Sequence, residues 1–284
     1  MPPIPLGPRV TLIWLAVVLG WPGAVLGKEP LWEAGLGVGG LSLPHYRGSD
    51  QSEVFAAPIP YAVYRGELLR YDREGLRGLF FRTDRVDLDV SADAALPIND
   101  DDNTRAGMDD LAPVLEIGPS INVRLWESAA RHRYLTARLP LRAAVAINSD
   151  LGVSHQGWSF APNLYYEDNA AGFSGAWRRT VSFGPVFSDR AYHAYYYDVP
   201  AQDAIAETRP EFRVPGGYSG ARLSFASARR FGALWFGLFV RVDRLDGASF
   251  ADSPLVDRRM SVTAGAGVSW VFAESQRRVP RRAR

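Results

Sequence analysis

The chain has 284 residues, including 27 glycines and 20 prolines, no cysteine, and a formal net charge of +1 at pH 7. A charge so close to zero gives no basic footprint for nucleic acid. The lack of cysteine excludes disulfides, thiolate catalysis, cysteine-ligated zinc and a lipid anchor carried on cysteine. We therefore expect no nucleic-acid partner and no cofactor.

Residues 1–27 have the layout of a secretory signal peptide. Arg9 precedes an apolar run at residues 10–19, and a Gly/Pro break leads to a small-residue site ending at Gly27. The run is too short for a transmembrane helix, which needs about 20 apolar residues. We expect export, with residues 28–272 as the mature domain. Residues 273–284, which contain five arginines, are predicted to form a disordered basic tail in the periplasm.

Apolar and polar residues alternate along most of the mature chain, which is typical of strands with one apolar face. Two of the runs, residues 113–125 and 135–147, reach the length of about 9–11 residues that a tilted membrane strand needs. Residues 68–81 are interrupted, so this segment either is split or does not span. The predicted strands cover residues 32–43, 53–64, 68–81, 86–94, 113–125, 135–147, 158–166, 175–187, 218–227, 232–245 and 260–272.

The last predicted strand shows the pattern most clearly. One set of alternate positions is apolar, from Met260 to Phe272, and the other is small or polar. The end of the strand, with Gly267, Trp270 and Phe272, is similar to the C-terminal signal that outer-membrane barrels carry for insertion. Long and short connections alternate between the strands, as in outer-membrane barrels. The sequence predicts an all-β, antiparallel transmembrane β-barrel of about twelve strands, with ten as the alternative, in the outer membrane of a Gram-negative bacterium.

Short motifs lie in order along the chain, and those that stand out are Pro44, Tyr46, Gly48, Ser49 and Asp50, with Ser253 and Pro254 before the last strand. In this order they resemble the MipA/OmpV family of outer-membrane proteins. The resemblance implies a non-enzymatic scaffold that links a murein hydrolase, a lytic transglycosylase, to a murein synthase in peptidoglycan assembly. Outer-membrane lipid and lipopolysaccharide would surround such a barrel.

Charged residues occupy the polar positions of three predicted strands, and in a barrel these positions face the lumen. Facing rows of opposite charge either form ion pairs that fill a narrow barrel or set the field in a pore. We predict the filled lumen and keep a small-solute porin or transporter with a charged lumen as the alternative. The residues of the two rows are Asp87, Asp89, Asp93, Arg124, Arg138 and Arg142.

Three further clusters are candidates for function. Ser154 and His155 suggest a membrane-embedded hydrolase, but adjacent strand residues point to opposite faces and cannot pair easily. Asp100, Asp101 and Asp102 suggest a cation site, but their spacing does not match an EF-hand and a solvated loop is the preferred interpretation. The tyrosines at positions 192 and 195–197 suit an aromatic belt at the lipid headgroups, and we predict that role for them.

Overall fold

The computed structural model describes residues 29–65, 69–72, 75–78, 81–95, 104–148, 152–171 and 177–279. The predicted signal peptide lies outside the described residues. One helix, α1 (Arg190–Tyr197), lies among the strands. The strands are β1 (Glu29–Pro30), β2 (Trp32–Pro44), β3 (Ser52–Arg65), β4 (Leu69–Asp72), β5 (Gly75–Gly78), β6 (Phe81–Arg82), β7 (Val86–Ala95), β8 (Val114–Glu127), β9 (Arg133–Ile147), β10 (Val153–Phe160), β11 (Asn163–Ala171), β12 (Trp177–Ser188), β13 (Gly217–Phe231), β14 (Leu234–Arg244), β15 (Met260–Glu274) and β16 (Arg278–Val279).

Strands β2 to β15 form one antiparallel sheet in which most strands pair with the strand that precedes or follows them in the chain, and β15 also pairs with β2. The exceptions are β5 with β6 and β10 with β11. β10 and β11 act as one interrupted strand, because both pair with β9 and with β12. Counted this way, the described part of the sheet has ten long strands and the three short strands β4 to β6. The predicted all-β antiparallel class is confirmed. For residues 68–81, predicted either to be split or not to span, the described part contains the separate short strands β4, β5 and β6. The total of about twelve depends on how these short strands are counted.

The sheet curls round until its two ends approach each other. β5 and β6 are the terminal strands of the sheet order and follow one another in the chain, and Cα atoms of β5 lie within 8 Å of β7. Ion pairs from Asp93 on β7 to Arg222 on β13 and Arg241 on β14 cross the space inside. These contacts require the sheet to curve, so that β7 faces β13 and β14 across its inner side.

The outer face of the sheet is apolar, and the predicted alternation is its cause. On β15 the side chains of Trp270 and Phe272 point outward and are 58% and 57% exposed, whereas Ser261 and Ser269 point inward and are buried. On β2, Val38 is 62% exposed. A soluble protein rarely presents so much contiguous apolar surface to water. The outer face therefore suits hydrocarbon, and recognition of the Gly267 to Phe272 segment during insertion remains a prediction.

The longest described connections lie at one end of the sheet. Residues 45–51, 189–216 and 245–259 lie at one end, which we call the capped end. Short turns, such as residues 128–132 and 232–233, lie at the other, the terminal end, where β1 and β16 pair. The prediction of a disordered tail is therefore wrong for the described residues 275–279, because Leu31 N–H donates to Arg277 O and β16 pairs with β1. Residues 280–284 lie outside the described part.

The glycines of β2 permit a close approach to β15. A Cβ added to Gly35 would lie 2.4 Å from Trp270 O, and one added to Gly37 would lie 2.4 Å from Val268 O. Real side chains cannot occupy such positions without moving the neighbouring backbone. Glycine on the inner face of β2 therefore allows the last long strand to pair tightly with the first.

Candidate functional site

The capped end is closed by a folded structure. We call it the cap, and it consists of residues 45–51, 104–113, 189–216 and 245–259. Helix α1 lies at its centre, and the Asp189 carboxylate starts the helix by accepting a 2.9 Å hydrogen bond from Tyr192 N. Carboxylate acceptors at this position stabilise the first turn of a helix. The local sequence thus sets the start of α1, and Asp198 follows its last residue.

The tyrosines of α1 form the core of the cap. Tyr197 is 1% exposed and stacks on Phe250 with ring centroids 3.8 Å apart. Tyr192 donates a 2.7 Å hydrogen bond to Glu116 of β8, and Tyr195 donates one to Ala112 O. The prediction that residues 192 and 195–197 form a lipid-headgroup belt is therefore wrong. The long connection folds back over the lumen, so that its rings are buried against protein.

Two motifs that the sequence singled out meet in the cap. Tyr46 donates a 2.8 Å hydrogen bond to Leu255 O, and Ser253 Oγ donates one of 2.8 Å to Tyr197 O. Tyr197 in turn donates to Arg47 O at 2.8 Å. Tyr46, Ser253 and Tyr197 are all buried. The hydrogen bonds tie the connection after β2 to the connection before β15 through helix α1.

The remaining motif residues have separate positions. Ser49 is buried and its Oγ accepts from Gln51 N, whereas Asp50 is exposed. Pro44 is the buried last residue of β2, and Pro254 is half-buried beside Ser253. The structure thus gives Asp50 no role in the packing of the cap.

Gly48 joins the first motif to the connection before β15 and to the start of β15 through backbone hydrogen bonds. Its N–H donates to Ser261 Oγ at 2.8 Å, and its carbonyl accepts from Asp257 N and Arg258 N. Its φ angle is +103°, in the region that favours glycine. A left-handed residue at this position turns both polar groups of the peptide towards the connection before β15.

His193 and Ser219 form a buried pair that sequence reasoning missed. His193 Nε2 lies 2.6 Å from Ser219 Oγ and Nδ1 lies 2.8 Å from Pro215 O. The arrangement resembles a serine nucleophile beside its base, but both residues are 0% exposed, so no substrate reaches the hydroxyl. Burial lowers the pKa of His193 and keeps the imidazole neutral. No sequence signal marks the pair, because the two residues lie 26 positions apart without a recognisable motif.

Ser154 and His155 have separate contacts, as predicted for adjacent residues of a strand. Ser154 Oγ accepts a 2.8 Å hydrogen bond from Gln156, whereas the exposed His155 ring lies edge-on to Trp158 at 5.7 Å. The alternation along β10 points the two side chains apart, as expected from strand geometry.

A network of ion pairs crosses the lumen below the cap. Asp93 lies 3.3 Å from Arg222 and 3.4 Å from Arg241. Arg222 also donates a 2.8 Å hydrogen bond to Asp243, which lies 3.8 Å from Arg47 of the cap. The network therefore connects both sides of the barrel and the cap. The sequence indicated Asp93 but not its partners, because which strands face each other depends on the curvature of the sheet.

The predicted arginine row has mixed partners. Arg142 donates to Ser91 Oγ through Nε at 2.9 Å and lies 4.0 Å from Glu116. Arg138 stacks on the Tyr165 ring at 3.3 Å, and Arg124 pairs with Glu127 at 3.2 Å.

The predicted aspartate row follows the alternation of β7. The structure places Asp89 and Asp93 in the lining of a lumen cavity, together with Arg138 and Arg142, while Asp87 lies half-buried two positions before Asp89. Asp93 forms ion pairs with Arg222 of β13 and Arg241 of β14.

The terminal end is filled on one side by a second buried cluster. Glu33 is 1% exposed and accepts hydrogen bonds from Tyr61 at 2.9 Å, Arg65 at 2.9 Å and Arg230 at 3.2 Å. Trp235, 1% exposed, packs against Tyr61 in the same cluster. A buried carboxylate with three donors is a well-satisfied structural charge.

The described residues contain neither a metal cluster nor a membrane-spanning helix. No group of three or more His, Asp or Glu side chains in that part of the chain could hold a metal ion. Asp100, Asp101 and Asp102 lie outside the described residues, and Asp109 and Asp110 are exposed. None of the helices described is long and apolar enough to cross a membrane.

Comparison with known proteins identifies one family. The model of the family described as MltA-interacting protein MipA matches residues 36–272. That match covers nearly all of the predicted mature domain, including the cap, the lumen network and β15. No curated protein matches the chain.

Several solved outer-membrane structures have a similar fold. The chain is similar to the NanC porin (8% identity, TM-score 0.38, covering 84% of this chain and 100% of that one) and to the CymD monoaromatic hydrocarbon channel (12%, 0.38, 87% and 90%). It is also similar to the Pseudomonas putida toluene transporter TodX (8%, 0.28, 88% and 69%). Because the TM-scores are below 0.5, we base no functional argument on these matches.

Proposed function

Because the chain belongs to the MltA-interacting protein MipA family, we propose that this outer-membrane β-barrel is a non-enzymatic scaffold that links a murein hydrolase to a murein synthase in peptidoglycan assembly. The family name supplies the first partner, a lytic transglycosylase. The second partner follows from the resemblance seen in the sequence. A scaffold of this kind needs a rigid body and a surface on the murein side, but not a reaction centre.

The side chains that cross and narrow the lumen are the observation that carries this proposal. The cap closes one end, the Asp93 network crosses the middle, and the Glu33 cluster fills part of the other end. Ion pairs and buried rings of this kind stiffen a barrel and narrow any path for solutes. A rigid barrel with an obstructed lumen is better suited to binding partner proteins than to conducting solutes.

The terminal end is the proposed docking surface. Outer-membrane barrels place their short turns and both chain termini in the periplasm, and the murein lies there. In the present chain that end has the β1–β16 pair, with Arg277 and Arg278 next to it. Arg278 is 43% exposed in its side chain and pairs with Glu274. Exposed arginines beside a free strand edge can attract an acidic partner.

Affinity capture from detergent extracts of outer membranes tests the scaffold. We expect the wild-type protein to recover a lytic transglycosylase and a murein synthase. A double variant at the terminal end, Arg277→Glu with Arg278→Glu, should recover less of both. The matched control is Arg213→Glu, because Arg213 is 76% exposed on the cap and its ion pair is with the nearby exposed Glu211. Recovery of neither enzyme by the wild-type protein would overturn the proposal.

A small-solute porin or transporter is the second candidate. The observation in its favour is a polar lumen cavity of about 290 Å³ between the network and the sheet. Planar-bilayer recordings separate the candidates, because a porin gives steady conductance steps and a filled scaffold does not. We expect no steady steps from the wild-type protein.

A further inference from the structure

Two arginines lie on the outer, apolar face of the sheet near the terminal end. Arg179 of β12 is exposed on the face that carries Val181 and Phe183. Arg229 of β13 is half-buried on the face that carries Phe231, two residues before the end of the strand. At roughly 3.3 Å per residue, this places Arg229 about 7 Å from the strand end. An arginine on the lipid-facing side of a barrel costs least near the headgroups, so both side chains suit that level of the membrane.

The two guanidinium groups lack an acidic partner. Among the described residues, no carboxylate forms an ion pair with Arg179 or Arg229. Asp168 is in register with Arg179, but its ion pair is with Arg133, at 3.1 Å. Arg229 Nε is buried without a hydrogen-bond partner in the described part of the chain. Charged groups next to an apolar surface are costly unless they are paired, so these arginines call for an anion from outside the protein, bound at the terminal guanidinium nitrogens.

Strand pairing brings the two arginines close together. Arg179 is in register with Ser227, which lies two residues from Arg229 on the same face. Diagonal neighbours of this kind are about 7–8 Å apart. The Arg229 guanidinium carbon lies 4.2 Å from the ring centroid of Phe231 and 5.7 Å from that of Trp177. Such rings attract a guanidinium and fix its position, and one phosphodiester can then accept hydrogen bonds from both arginines.

An apolar groove of about 740 Å³ on the outer face adjoins these arginines. Trp177 and Phe231, the two rings beside Arg229, are part of its lining. Small side chains make the groove, because one row of paired positions across five strands consists mostly of small residues. The row contains Ser227, Leu238, Ala266, Gly40 and Ala56. A lining of this composition suits a hydrocarbon chain and not a polar ligand.

We propose that the groove and the two arginines form a binding site for one anionic phospholipid, with its phosphodiester at Arg179 and Arg229 and an acyl chain in the groove. The volume of about 740 Å³ lies within the range of roughly 300–1,000 Å³ for small-molecule sites. Free phosphate would leave the groove empty, and a neutral lipid would leave both arginines without an anion. The site depends on the outer-membrane location of the barrel and not on a partner in murein assembly.

Native mass spectrometry of the full mature protein, released from detergent micelles, tests the site. The micelles contain equal amounts of anionic phosphatidylglycerol and of phosphatidylethanolamine, whose ammonium group the arginines repel, with matched acyl chains. We expect the protein to retain phosphatidylglycerol about tenfold more than phosphatidylethanolamine, because each arginine attracts an anionic lipid. Equal retention of the two lipids, or a second copy of the chain in place of lipid, would overturn the proposal. Because no murein enzyme is present, the result is independent of the capture experiment.

Two variants separate the headgroup contact from the groove. Arg229→Gln removes one charge and should lower the preference for phosphatidylglycerol about fivefold, while retention of phosphatidylethanolamine stays at the wild-type level, which a misfolded barrel could not show. Ala266→Trp fills the groove and should lower the retention of both lipids several-fold. The control is Ala62→Trp, since Ala62 is also exposed on the outer face but lies outside the groove, and it should retain both lipids as the wild type does. An unchanged preference in the Arg229 variant, or unchanged retention in the Ala266 variant, would contradict the assignment.

Discussion

Replacement of Gly48 by alanine should open the cap without unfolding the barrel. Gly48 holds a φ of +103° and anchors the cap to Ser261 Oγ at 2.8 Å. An added Cβ would lie 3.1 Å from Val256 Cγ1 and 3.3 Å from Leu245 Cδ1. Leu245 is fully buried, so the methyl group must displace cap residues or distort the peptide that bonds to Ser261.

The Gly48→Ala substitution costs free energy in two ways, through backbone strain and through crowding of packed side chains. Backbone strain for a residue with a side chain in this region is about 1–3 kcal/mol. Crowding of a packed core by an extra methyl adds about 1–3 kcal/mol. We expect the free energy of cap opening to fall by about 2–4 kcal/mol, less than the largest sum because side-chain ends can shift.

Hydrogen exchange followed by mass spectrometry measures that free energy separately for cap and strand peptides. The control is Gly107→Ala, since Gly107 also has a positive φ, +81°, but no atom lies within 4 Å of the added Cβ. The control should cost only the strain, about 1–2 kcal/mol. Unchanged exchange in the cap of the Gly48 variant, or equal effects of the two substitutions, would refute the packing described for the cap.

Two further predictions concern pH and the terminal cluster. Burial raises the pKa of Tyr197 to about 12 in the closed cap, whereas an exposed tyrosine has a pKa of about 10. The closed cap is therefore stabilised below pH of about 10, and its free energy of opening should fall by roughly 3 kcal/mol as the pH rises to about 12. Tyrosinate absorbance and hydrogen exchange of cap peptides measure this loss. Glu33→Ala leaves Arg65 and Arg230 without their buried carboxylate and should lower the unfolding free energy by about 3–5 kcal/mol in urea titrations. Glu211→Ala, at a surface carboxylate that is 47% exposed and pairs with Arg213, is the control and should cost less than about 1 kcal/mol.

The strands were predictable because their pattern is local. On β15 each residue's face follows from its position, and the outward Trp270 and inward Ser269 agree with the alternation. The interruption between Leu69 and Arg82 was visible for the same reason: turn-forming residues break the period. The face of a strand residue and the position of a break can both be predicted without knowing which strands face each other.

The cap and the lumen contacts depend on long-range geometry, which the sequence does not display. Tyr197 lies in a connection, and its burial depends on Arg47 and Phe250, which are 150 and 53 positions away. Asp93 meets Arg241 only because the sheet curls. The alternation marked Asp93 as facing the lumen but could not select its partner. The ordered tail likewise depends on a partner from the other end of the chain.

Spin labels at two adjacent residues of β13 test the central claim that alternate residues face lipid and lumen. The chain contains no cysteine, so Leu223→Cys and Ser224→Cys each create one labelling site. Leu223 is 46% exposed on the outer face, and Ser224 lines the lumen cavity. In protein reconstituted into bilayers, we predict that the label at position 223 is relaxed by oxygen dissolved in lipid and protected from a water-soluble nickel chelate. The label at position 224 should show much lower accessibility to oxygen, and equal behaviour of the two labels, or free access of the chelate to position 223, would contradict the account.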